Sequence, residues 1–195
     1  MTGETIPLYR VQGTHYECAH QIGTICRKLI VKRIEDDQEY LKPMFDYVQT
    51  PEGLELHQGF VDAIQKTFPW YWDEIRGLTD GSGVPLEQIL VLNFDNETQT
   101  AYRLYQATRT DEPMVDEIGA KGCSTVLINR LDTNTLSVLH NEDNTTGLYH
   151  TGYLIEADIK ASFYNDGQRA SPREKFVAYC YAGVIPGKSS RQRRR

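Results

Sequence analysis

The spacing of apolar residues changes at residue 123, and this change limits the chain to folds that combine helices with strands. Before this point the apolar residues recur at helical spacing, in the two stripes Ala19, Ile22, Cys26, Leu29, Ile30 and Leu54, His57, Val61, Ile64, Phe68. After it, apolar alternation at 123–130, 135–141, 151–159 and 174–182 predicts strands. Helices followed by strands indicate an α+β fold with segregated elements.

Local signals predict where these elements begin and end. Residues 5–13 alternate and predict a strand, after which Thr14 and Glu17 form a capping box that starts the first helix. We expect that helix to run to about Leu41, before Pro43, because proline disfavours a helix interior.

Two further helical regions and one hairpin follow from the same signals. Gly81-Ser82-Gly83 predicts the end of a helix that starts at Phe68, and the next helix is expected to run from Pro85 to about Ala107. Asp132-Thr133-Asn134 predicts a hairpin turn between the first two late strands. The charged stretch at 108–121 is expected to be a surface linker.

The composition fits a globular domain and excludes several classes of protein. The 195 residues are 39% hydrophobic and 25% charged, enough to form a real core. A net charge of −6 argues against general nucleic-acid binding. The chain shows neither a membrane-length apolar run nor signal-peptide features, and we expect a cytoplasmic protein.

Four cysteines are present, and their spacing matches no metal site. Without a signal peptide, Cys18, Cys26, Cys123 and Cys180 are expected to be reduced thiols. The sequence also contains no nucleotide or dinucleotide fingerprint. No metal and no cofactor are therefore predicted.

Gly122-Cys123-Ser124-Thr125 is the motif whose residues are best suited to catalysis. If the Gly122–Cys123 bond is cut, Cys123 gains an α-amine with a pKa of about 8 next to a thiol with a pKa of about 8.5. The amine can then act as base for the thiol. Thr125 lies on the same side of the strand as Cys123, and Asp143 is placed to hold the ammonium. The alternatives are a buried structural Cys123 and a turn-forming Asp143.

Four stretches together resemble the acyl-coenzyme A:6-aminopenicillanic acid acyltransferase-like family of N-terminal nucleophile hydrolases. They are Gly13-Thr14-His15-Tyr16-Glu17 with Gln21-Ile22-Gly23, Glu74-Ile75-Arg76-Gly77 with Asp80-Gly81-Ser82-Gly83, Gly122-Cys123-Ser124-Thr125, and His140-Asn141-Glu142-Asp143. In this order they cover residues 9 to about 188. Within the family, the resemblance is closest to the β-alanyl-dopamine (carcinine) hydrolases of insects.

The resemblance implies an αββα sandwich and a precursor that cuts itself between Gly122 and Cys123. It divides the chain into a helical part at 1–122, the start of the nucleophile-bearing sheet at 123–187 and a basic tail at 188–195 that departs from the family pattern. Cys123 corresponds to the nucleophile, with Asp143 and Thr125 assisting. Family members continue beyond Pro186, and the chain therefore resembles a C-terminally truncated form.

The implied reaction is the hydrolysis of a small-molecule amide, an N-β-alanyl amine, to β-alanine and dopamine or histamine. An acyl-coenzyme A-dependent N-acyltransferase of the same family is one alternative. The other is an inactive truncated isoform that binds its full-length relative or its own cleaved fragment. No membrane partner is expected, and a nucleic-acid partner is expected only if the tail Arg191-Gln192-Arg193-Arg194-Arg195 binds one.

Overall fold

The computed structural model of the protein describes residues 6–109, 123–141, 146–164, 170–186 and 191–193, which form a mixed α+β fold. The helices are α1 His15–Asp36, α2 Gln38–Tyr47, α3 Pro51–Thr67, α4 Pro69–Ser82, α5 Leu86–Asn93, α6 Asp95–Ala107 and α7 Thr146–Tyr149. The strands are β1 Leu8–Gly13, β2 Ser124–Arg130, β3 Thr135–Asn141, β4 Tyr153–Ile159, β5 Ser162–Phe163, β6 Ala170–Ser171, β7 Glu174–Cys180 and β8 Arg191–Arg193. None of these described helices has both the length and the apolar character needed to cross a bilayer.

The first helical region is two helices, and the prediction of one helix to Leu41 is wrong. Helix α1 ends at Asp36, and α2 begins directly after Asp37. Pro43 lies inside α2. Proline removes one backbone hydrogen bond from a helix. Burial of Leu41, Met44 and Tyr47 on the apolar face of α2 offsets that loss.

The last helical region is also divided, and the prediction of one helix from Pro85 to Ala107 is wrong. Helix α5 ends at Asn93, and α6 begins at Asp95. The Asn93 side chain donates to the Gly183 carbonyl oxygen at 2.9 Å and accepts from the Ile185 amide at 2.9 Å. These bonds join the break to the turn after β7, a contact that local sequence does not reveal.

The predicted signals at the start of α1 and the end of α4 are confirmed. The Thr14 hydroxyl accepts from the Glu17 amide at 3.2 Å, and the Glu17 carboxylate accepts from the Thr14 amide at 2.8 Å. Helix α4 ends at Ser82, and its C-cap Gly83 has a left-handed φ of 68°, which favours glycine.

Helices α1 and α4 approach closely because glycines lie at their contact. A Cβ atom added to Gly77 would collide with the Tyr16 carbonyl oxygen, and one added to Gly23 would lie 2.7 Å from the Leu78 carbonyl oxygen. Backbone atoms cannot move away as a flexible side chain can. Two glycines of the motifs that carry the resemblance are thus explained by helix packing.

The main sheet has the strand order β1-β4-β7-β8. Strand β1 pairs in parallel with β4, while β4–β7 and β7–β8 are antiparallel. The helices and strands are therefore less segregated than predicted, because β1 precedes all helices and still joins the late strands. Residues 191–193 of the basic tail pair with the edge of β7.

One face of this sheet forms the core against α1. Val11 of β1, the alternate residues Tyr153, Ile155, Ala157 and Ile159 of β4, and Phe176, Ala178 and Cys180 of β7 are all buried. Cys18, Ile22, Cys26 and Ile30 of α1 belong to the same apolar cluster. The opposite sheet face carries polar residues, including Arg10 bonded to Glu156 at 2.9 Å.

Candidate functional site

The predicted nucleophile Cys123 lies immediately before β2 and is exposed. The alternative of a buried structural cysteine at this position is therefore wrong. Gly122 and Asp143, the other two residues of the predicted self-cleavage and catalytic set, lie outside the described residues. Most of the predicted linker at 108–121 lies outside them as well.

Thr125 is the one predicted site residue whose side-chain partner the structure describes. Strands β2 and β3 form an antiparallel hairpin in which Thr125 faces His140. Thr125 Oγ1 lies 2.8 Å from His140 Nδ1. The hairpin register therefore brings an imidazole to the side of the strand that, by alternation, carries Cys123.

His140 as the partner of Thr125 was missed by the sequence analysis, although the turn could have revealed it. The observed turn covers residues 131–134, and Arg130 pairs with Thr135. Counting outward from that pair in equal steps reaches Thr125 and His140. The other nearby histidine, His150, instead packs edge-on against Tyr149, with ring centroids 4.9 Å apart.

The environment of Cys123 differs from that of the other three cysteines. Cys18, Cys26 and Cys180 are buried in the core. Burial raises the pKa of Cys18 and of Cys26 to about 12 and raises the pKa of Cys180 as well. A thiol with a pKa this high is protonated and unreactive near neutral pH. Cys123, the predicted nucleophile, is therefore the one solvent-exposed cysteine of the four.

The hairpin that carries the candidate site is apolar and exposed on both faces. Val126, Ile128 and Leu139 lie on one face, and Leu127, Leu136 and Val138 share the other face with Thr125 and His140. Each of these six apolar side chains is at least 42% exposed, and Leu127 is 69% exposed. Monomeric soluble proteins rarely expose contiguous apolar surface of this extent.

A buried ion pair fixes the chain where it returns from the hairpin to the core. The Asp37 carboxylate accepts from the Gly147 amide at 3.2 Å, and Arg33 Nε lies 4.0 Å from Asp37 Oδ2. Arg33 also donates from Nη1 to the Ala182 carbonyl oxygen at 2.7 Å. Burial lowers the pKa of Arg33, while the nearby carboxylates of Asp95 and Asp37 act against that change.

No group of three or more histidine, cysteine or acidic side chains in the described part of the chain is arranged to hold a metal ion. The described side chains on the Cys123 side of the hairpin include a thiol, a hydroxyl and an imidazole. These groups suit nucleophilic attack on a carbonyl carbon.

Comparison with known proteins yields one distant relative and no matching family model. The chain is 26% identical over 184 residues to the beta-alanyl-dopamine/carcinine hydrolase of Drosophila melanogaster. The match covers 94% of this chain and 45% of that protein. The chain thus spans less than half the length of the curated relative, and the identity supports a distant relationship to a hydrolase of this kind.

Proposed function

We propose that this chain is the nucleophile-bearing part of a cysteine amide hydrolase of the N-terminal nucleophile class, with an αββα sandwich completed by further chain. It would cut its own Gly122–Cys123 bond and hydrolyse N-β-alanyl amines such as β-alanyl-dopamine and carcinine. One observation carries the proposal: the solvent-exposed cysteine opens a strand, in a chain distantly related to a hydrolase of that substrate class.

The proposed chemistry needs only groups of Cys123 itself and water. The thiol sulfur first attacks the Gly122 carbonyl carbon, the Gly122–Cys123 amide bond breaks and the thiol proton passes to the freed Cys123 amine. Water then hydrolyses the resulting thioester and separates residues 1–122 from the part that begins at 123. The new α-amine then accepts the thiol proton, and sulfur attacks the substrate amide carbon. The protonated amine gives its proton to the leaving amine, and water hydrolyses the thioester to release β-alanine.

Thr125 and Asp143 are proposed as assisting residues. The Thr125 hydroxyl lies on the Cys123 side of β2 and is held at His140, so it is oriented to bond the α-amine or the intermediate. Asp143 would hold the ammonium by charge attraction.

The exposed hairpin supports a further proposal about partners. The relative is more than twice as long as the matched region, and its remaining chain has no counterpart here. We propose that the two apolar faces of the hairpin bind β-structured chain of this kind, supplied by a full-length relative. An inactive form of the chain that acts only through such association is the corresponding alternative.

Acyl transfer is the second candidate reaction, because it shares the same thioester intermediate. An amine acceptor in place of water would convert the hydrolase into an N-acyltransferase. Supplying an acyl-coenzyme A thioester together with an amine, and measuring amide formation, separates the two reactions.

The intact mass of the purified chain tests self-cleavage. We expect two species whose masses sum to that of the chain plus one water, with the second beginning at Cys123. Cys123→Ala should give one uncut species. Ser124→Ala is the matched control, because residue 124 is adjacent and exposed but points to the opposite face of β2; it should be cut like the wild type.

Release of β-alanine from β-alanyl-dopamine and carcinine tests the reaction, with the Cys123→Ala variant as the blank. β-Alanine release by an uncut wild-type chain would contradict the N-terminal nucleophile mechanism. A cut chain that releases no β-alanine, alone or with a full-length relative, would contradict the proposed substrate class.

A further inference from the structure

A buried polar cluster that contains no hairpin residue joins three separate elements. His15 at the start of α1 lies between Glu74 of α4 and Ser171 of β6. His15 Nδ1 is 2.6 Å from Glu74 Oε1, and His15 Nε2 is 2.7 Å from Ser171 Oγ. Exposed fractions are 1% for His15, 4% for Glu74 and 2% for Ser171.

The directions of the two hydrogen bonds depend on the tautomer of His15. In the tautomer with the proton on Nδ1, that nitrogen donates to the Glu74 carboxylate. In a neutral imidazole, Nε2 then has the lone pair and accepts from the Ser171 hydroxyl. Ser171 Oγ has a second, longer contact of 3.4 Å to the Pro172 carbonyl oxygen.

We propose that Ser171 is a second nucleophile of this protein, with His15 as its base and Glu74 as the group that orients the imidazole. A hydroxyl, an imidazole and a carboxylate bonded in this order form the arrangement that activates serine in hydrolases of unrelated folds. A packed core does not require these groups, because apolar residues of similar volume often stabilise a protein as well as a buried ionic cluster.

The position of Ser171 determines how a substrate reaches it. Ala170, Pro172 and Arg173 are exposed, so Ser171 lies one residue from solvent on each side. On the inner side, the cavity lined by His15, Glu74 and Phe176 has a volume of only about 10 Å³. It admits no acyl group, and the electrophile must approach from the surface at β6. The substrate class is therefore small activated esters with a short acyl group.

The proposed reaction is balanced with water as the only co-reactant. Ser171 Oγ forms a bond to the ester carbon while its proton passes to His15 Nε2. The bond to the alcohol oxygen breaks, and the alcohol leaves with that proton. Water then attacks the Ser171 ester by the same proton route and releases a carboxylic acid. Glu74 stabilises the imidazolium formed in each step.

Reaction of the full chain with diisopropyl fluorophosphate, a small serine-directed reagent, tests this proposal. We expect the folded wild type to gain one phosphoryl group on Ser171, located by peptide mapping. The same chain in denaturant should gain none, because the unfolded serine has no base. His15→Gln should lower the labelling rate by roughly 10²–10⁴-fold.

Two control variants separate this site from other residues. Ser162→Ala, in the strand β5 that pairs with β6, and Ser124→Ala, in the exposed strand β2, should both be labelled at the wild-type rate. The absence of an adduct on the folded wild type, or equal labelling of the folded and unfolded chains, would overturn the proposal. The deciding measurement uses the wild type, so a variant that fails to fold does not affect it. Labelling of Ser171 also does not depend on whether Cys123 is a nucleophile.

Discussion

Thr125 Oγ1 and His140 Nδ1 lie 2.8 Å apart across the exposed β2–β3 hairpin. The two residues are directly opposite in the hairpin register. Pairs in this position stabilise antiparallel strands even when both side chains are in water. The hydroxyl that was predicted to assist Cys123 thus has its orientation fixed by a residue on the next strand.

Thr125→Val should weaken the hairpin, because valine keeps the shape of threonine but cannot form this hydrogen bond. Cross-strand pairs contribute about 0.2–1 kcal/mol, so amide hydrogen exchange within β2 and β3 should accelerate by up to roughly fivefold. Thr125→Ser keeps the hydroxyl and serves as the control. Equal exchange rates in the wild type and the valine variant would show that the bond contributes nothing.

Alkylation of the folded chain with iodoacetamide at pH 8 should modify one of its four cysteines. Cys123 is exposed, whereas burial raises the pKa of Cys18 and Cys26 to about 12 and also raises that of Cys180. Peptide mapping should locate the label at Cys123, and Cys123→Ala should take up none. In denaturant all four thiols should react, and rapid labelling of Cys18 in the folded chain would contradict its burial.

Two glycine substitutions should change stability in opposite directions. Gly77→Ala places a methyl group against the Tyr16 backbone, and we expect a loss of about 1–3 kcal/mol in the free energy of unfolding. Gly59→Ala lies in α3 with nothing near its added Cβ, and it should gain up to about 1 kcal/mol from helix propensity. Urea unfolding measures both values. A neutral Gly77→Ala would contradict the close packing of α1 on α4.

Asp158 should make stability depend on pH in the acid range. Hydrogen bonds from Arg173 and Lys175 lower the pKa of its carboxyl to about 2 in the folded chain. Since the folded pKa is lower than the unfolded one, Asp158 stabilises the fold above pH 4. That contribution is lost as the pH falls through about 2. Asp158→Asn should therefore be less stable than the wild type at pH 6, and the difference should shrink towards zero as the pH falls below 2, by urea unfolding. A difference that stays constant over this range would contradict the assignment.

The sequence predicted elements whose causes are local. The capping box at Thr14, the left-handed Gly83 and the Asp132–Asn134 turn act within a few residues, and each was found where expected. The position of Cys123 at the start of β2 was also predicted, because the strand pattern begins directly after it, whereas its exposure was not.

The missed features depend on contacts between distant residues. The end of α5 at Asn93 is fixed by Gly183 and Ile185. Strand β1 pairs with β4, although helices α1 to α6 separate the two strands in the sequence. In the same way, no local pattern relates His15 and Glu74 to Ser171. Contacts of this kind form only when distant segments pack together, and local propensity and residue spacing do not predict them.

The pairing of β1 with β4 also sets an order of events during protein synthesis. Leu8–Gly13 is made before helix α1, but its partner Tyr153–Ile159 emerges only after all of α1 to α6. At about 5–20 residues per second, the strand waits on the order of ten seconds on the ribosome. Its amides remain bonded to water during that time, while the helices can already pack. Strand β1 is therefore made before the helices but enters the sheet after them.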